Sequence, residues 1–77
     1  MTLTAALAKA DRLFDPIAEQ NLLDTAVMVR DMGGTDAEVA AFVERQHAAL
    51  ARSRADMHES IAVLYATGLD SPSVRVN

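Results

Sequence analysis

Apolar residues recur along this chain at steps of three and four, the spacing of one face of an α-helix. Leu3, Leu7, Ala10 and Phe14 predict a helix over residues 3–14, with Thr2 or Thr4 able to cap its start. Asp15-Pro16 follows. The residue before a proline is pushed out of the α region, and proline suits the first helical position, so a break or kink is expected there. A second helical segment over residues 16–32 carries Ile17, Leu22, Leu23, Ala26, Val27, Val29 and Met32. Its apolar surface wraps more than half the helix, the pattern of a helix covered on more than one side.

Gly33-Gly34 stops this segment, because glycine past a helix C-terminus takes the left-handed conformation at low cost. Thr35-Asp36-Ala37-Glu38 then reads as a capping box, the strongest local signal in the chain. No breaker interrupts residues 36–67, and Gly68 ends them. A helix of that length runs about 48 Å at 1.5 Å per residue.

The short turn makes the second and third segments antiparallel neighbours. The first two together match the long helix in length, and the three-four spacing continues through Asp15-Pro16. The expectation is therefore an all-α helical hairpin, with a kinked first arm (about 3–14 and 16–32) against one long helix (about 36–67). A compact three-helix bundle, with the first helix turned back, is the alternative. Residues 1–68 form one domain in this reading. Residues 69–77, with Ser71-Pro72, form a flexible C-terminal tail.

On the long helix Val43, Leu50, Met57 and Leu64 recur every seven residues, and Ala40, His47, Arg54 and Ile61 precede each by three. That is a heptad seam whose second row is partly polar, as in a coiled coil. Val39 and Phe42 widen it at one end, and Ile61 and Tyr65 at the other. The residues expected to form an interface are Val39, Phe42, Val43, Leu50, Arg54, Met57, Ile61, Leu64 and Tyr65. Arg54 projects close to the apolar centre and needs a carboxylate. In an antiparallel hairpin about this turn, facing residue numbers sum to about 68 at equal rise per residue. Asp11, Phe14 and Asp15 therefore fall near Arg54, either as an intramolecular ion pair or with Arg54 left to pair across an interface.

Length and composition sharpen the picture. At 77 residues the chain is one domain at most, and a core this small is marginal alone. Such scaffolds usually need a disulfide, a metal or a partner chain. There is no cysteine, which removes disulfides and thiolate metal sites. Two hairpins packed face to face would share a core as a four-helix bundle, so a homodimer is expected. The net charge of −4 argues against a generic nucleic-acid binder. No apolar run approaches the length of a membrane span. The N-terminal stretch lacks the pattern of a classical secretion signal, so a cytoplasmic or virion-internal location is expected.

Candidate chemistry is sparse. His47 and His58 lie eleven residues apart on one flank of the long helix, where an edge or surface role is the simpler one. Glu44-Arg45-Gln46-His47 resembles the E-x-x-H step of di-iron four-helix carboxylate proteins, in which such a step meets a carboxylate from a neighbouring helix. The facing rule sets Asp24 opposite Glu44 and Asn21 opposite His47. Asp24 stands where that family has glutamate, and Glu44 projects toward solvent. Asp24, Glu44 and His47 are thus minor candidates, and neither metal nor cofactor is expected. Arg45, Arg52, Arg54, His47 and His58 tint the long helix basic, but Glu44, Asp56 and Glu59 dilute it and no aromatic platform accompanies it. Neither a phosphate loop nor a catalytic triad can be assembled.

The sequence therefore points to a non-enzymatic protein–protein interaction or assembly module, such as a small regulator or a structural piece of a larger phage or bacterial complex. Its partner would be another protein, itself, or both. A metal-binding carboxylate/histidine bundle formed by dimerisation and a nucleic-acid-associated regulator are the alternatives.

Overall fold

A computed structural model describes residues 1–68, and the expected tail lies outside them. The described residues form two α-helices, α1 (Leu3–Asp31) and α2 (Asp36–Ala66), packed antiparallel as a hairpin. The rod measures 54 × 18 × 17 Å.

Thr2 caps α1, its hydroxyl accepting from the Ala5 N–H at 3.1 Å. At the other end Met32 is the C-cap. The Gly33 N–H donates to the Arg30 carbonyl and the Gly34 N–H to the Val29 carbonyl, both at 2.9 Å. This is a Schellman motif, and it requires the φ of +87° that Gly33 adopts. The capping box then forms as the sequence predicts. The Thr35 N–H donates to Glu38 Oε1 at 3.0 Å, and the Glu38 N–H donates to Thr35 Oγ1 at 3.2 Å. Arg30 and Asp36 bridge the turn at 3.0 Å. The long helix runs unbroken to Ala66, where Thr67 caps it and Gly68 takes a φ of +86°.

Two expectations need correction. The break at Asp15-Pro16 is absent: Pro16 lies inside one continuous α1. Proline has no N–H to give the Arg12 carbonyl. The packing of Phe14 and Ala18 on either side, and the anchoring of Asp15 on Arg54, outweigh that loss. The seven-residue seam also coincides with the packed face only in part. Ala40, His47 and Leu64 are exposed, whereas Val39, Val43, Gln46, Leu50, Arg54, Met57, Ile61 and Tyr65 are buried or half-buried. Along that face covered residues recur at a spacing of eleven: Val39, Leu50 and Ile61 on α2, and Leu7, Ala18 and Val29 on α1. Eleven residues in three turns is about 3.67 per turn, close to the 3.6 of a straight helix; a seven-residue row drifts by about 20° per repeat. Over the three repeats from Val43 to Leu64 that drift carries Leu64 off the contact.

The core is very thin. Among the described residues only Ala18, Val29 and Val39 are buried, and no side chain is fully enclosed.

Candidate functional site

The hairpin has two unlike flanks. One gathers charge. Arg54 on α2 reaches Asp11 at 3.3 Å and also pairs with Asp15, both on α1. Its guanidinium lies over the Phe14 ring, 5.2 Å from the centroid. His58, one turn further along α2, meets the same Asp11 carboxylate at 2.7 Å. The facing numbers sum to between 65 and 69, so the antiparallel register read from the turn brings Arg54 to the carboxylates it needs. It pairs within its own chain.

Electrostatics follow from that geometry. The hydrogen bond from His58, with the nearby Arg54 charge, holds the Asp11 carboxyl below its ordinary range. The Asp15 and Asp11 carboxylates push Arg54 up. At the turn, the Thr35 N–H lowers Glu38. A carboxyl whose folded pKa is depressed binds fewer protons folded than unfolded, so stability rises with pH through that window. The contributions of Asp11 and Glu38 are complete above the ordinary carboxylate range and are lost as the pH falls through their lowered values. The melting midpoint should fall as the pH drops below about 4. Asp11→Asn should flatten part of that fall in a pH series of thermal melts.

The other flank is apolar and open. Grooves run along it, lined at the turn end by Met28, Met32 and Phe42, near the middle by Pro16 and Ile17, and at the open end by Ala6, Ala10, Leu13, Ile61 and Leu64. Eleven large apolar residues are exposed among the described ones; seven of them (Met1, Leu13, Ile17, Met28, Met32, Phe42 and Leu64) line these grooves. Ile17 is 71% exposed and Met32 81%. Polar groups interrupt this flank near its middle, where Gln20, Asn21, Asp24, Thr25, Arg45 and Gln46 line the same grooves. Gln46 donates to Asn21 across the helices at 2.6 Å, Gln20 donates to Asp24 at 2.9 Å, and Arg45 lies 4.8 Å from the Phe42 centroid. No family model, no curated protein and no solved structure matches this chain.

The nine residues expected at an interface divide unevenly. Val39 is buried in the hairpin, and Val43, Leu50, Arg54, Met57, Ile61 and Tyr65 are half-buried; only Phe42 and Leu64 remain exposed. The open apolar surface is instead supplied largely by α1, through Leu13, Ile17 and Met28. The signal for it was the apolar surface of residues 16–32 wrapping more than half the helix. His58 joins the charged cluster as a partner of Asp11, which the facing rule also allows. Asn21 meets Gln46 rather than His47. Among the described residues no three His, Asp or Glu side chains converge on a metal-sized site, so Asp24, Glu44 and His47 are not gathered within one chain. Arg54 and His58, two members of the basic tint, are held by carboxylates. No helix of the described residues is long and apolar enough to cross a membrane.

Proposed function

We propose that this chain is a non-enzymatic assembly module, which works by packing the grooved apolar flank of its hairpin against protein, a second copy of itself included. The observation that supports this reading is the mismatch between inside and outside. Three residues of modest size are buried, while seven large apolar side chains stand exposed along one flank. Scattered exposed apolar residues are normal on any surface, but here they gather on one flank, at its two ends and around Ile17, with polar residues between. The methionines at the turn end, Met28 and Met32, suit a contact that must adapt its packing. On the other flank Asp11, Asp15, Arg54 and His58 are occupied with one another, and their geometry serves the register of the hairpin.

The test compares two double variants. Ile17→Glu with Phe42→Glu charges the grooved flank; Leu23→Glu with Val27→Glu charges the exposed back of α1. The first pair should abolish association in a sedimentation experiment, and the second should leave it within about twofold, as for ordinary surface substitutions. Equal behaviour of the two pairs contradicts the reading.

A further inference from the structure

We infer that residues 3–14 are a detachable arm, hinged at Pro16 and held against α2 by one clasp, the Arg54 side chain on Asp11 and Asp15. The device is complete within one chain and does not depend on assembly.

Three observations carry it. The first is the hinge. Pro16 lies inside α1. Its nitrogen has no hydrogen to give the Arg12 carbonyl, and its ring crowds that carbonyl. Asp15, the residue before it, is disfavoured in the helical conformation it holds. Sharp bends in helices fall at such positions, so α1 yields here first.

The second is where burial stops. Ala18, Val29 and Val39, the buried residues among those described, all lie on the turn side of Pro16. On the arm no residue is better than half-buried, and its apolar contact comes from Ala6, Leu7, Ala10 and Phe14. A helix of about twelve residues is marginal in water without packing. An arm that leaves α2 therefore also loses its helix.

The third is the clasp. Among the described residues, every side-chain hydrogen bond and ion pair from residues 3–15 to α2 ends on Asp11 or Asp15. Arg54 takes both carboxylates and lies over the Phe14 ring between them. Those three residues belong to the turn that runs into the proline, so one side chain holds the arm where its backbone is weakest. His58 adds its hydrogen bond to Asp11 at 2.7 Å. The open-end groove is built from both sides, Ala6, Ala10 and Leu13 on the arm and Ile61 and Leu64 on α2. Release of the arm dismantles that groove.

Residue-resolved amide hydrogen exchange on the full chain is the test, because a contact broken when the arm opens changes the arm's exchange and a contact kept does not. In the unaltered chain residues 7–14 should be protected at least about tenfold less than residues 20–30. Arg54→Gln should lower the protection of residues 7–14 by about tenfold or more. Pro16→Ala, which gives the Arg12 carbonyl its donor, should raise it by about as much. Val29→Ala, on the turn side, should lower residues 20–30 about tenfold and leave residues 7–14 within about twofold. Equal protection of the two segments in the unaltered chain, or an equal loss in both from Val29→Ala, makes the hairpin one opening unit and overturns the arm. Protection of residues 7–14 unchanged by Arg54→Gln overturns the clasp, and protection unchanged by Pro16→Ala overturns the hinge.

Discussion

Diluting the chain a hundredfold, from about 100 μM to 1 μM, lowers its melting midpoint by about 5–10 °C. The size follows from mass action. When folding is coupled to dimerisation, a hundredfold change in concentration is worth about 2.7 kcal/mol per dimer. A cooperative unit of two chains, within the range of 150–250-residue domains, moves by about 2–4 °C per kcal/mol. The physical basis is the thin core of Ala18, Val29 and Val39, from which a rod of this length draws little stability. Differential scanning calorimetry at several concentrations reads the effect. A midpoint that ignores concentration places all the stability within one chain.

A second large effect is expected at the turn, where two adjacent glycines differ sharply. A Cβ added at Gly34 would stand 2.5 Å from Val29 Cγ1 and 2.8 Å from the Val29 carbonyl oxygen. The oxygen is backbone, fixed by the last turn of α1, and Val29 is one of the three buried residues. Gly34→Ala must therefore move the turn or the helix end, at a cost of about 2–3 kcal/mol. For a domain of this size that is a fall in midpoint of about 10–20 °C. Gly33 has open space around its Cβ position, and its only demand is the positive φ of +87°. Gly33→Ala should cost about 1 kcal/mol, the ordinary penalty of left-handed backbone for alanine. Thermal melts of the two variants test the contrast, and equal losses would show that the close approach to Val29 is relieved without cost.

The hairpin was legible because its punctuation is local. Gly33-Gly34 and the Thr35–Glu38 box define the turn within six residues, and an uninterrupted run to Gly68 defines α2. The turn then fixes the register, which is how Arg54 could be matched to Asp11 and Asp15 before any contact was known. The register could equally have matched His58 to Asp11. At Pro16 the local rule expects a break or a kink, and the break does not occur. Packing of Phe14 and Ala18 and the Asp15–Arg54 pair hold the helix through a position that lacks one backbone donor. The seam of α2 was ambiguous for a different reason. The heptad rows and the packed face share Val43, Leu50, Arg54, Met57 and Ile61; they part at His47, which is exposed where Gln46 is half-buried, and toward the ends, where Leu64 and Ala40 leave the contact and Tyr65 and Val39 stay. The strip on α1 was less visible, because a helix apolar over more than half its girth does not say which part its own hairpin will cover. Only the packed arrangement separates Ala18 and Val29, which are covered, from Ile17 and Met28, which are not.

The measurement that bears most directly on the account is the mass of the unaltered chain in solution, by sedimentation equilibrium between 10 and 100 μM. The expected mass is twice the 8.3 kDa of one chain, with helix content and melting cooperativity rising together with the dimer fraction. A species of single-chain mass that is fully helical and melts cooperatively at every concentration would contradict it.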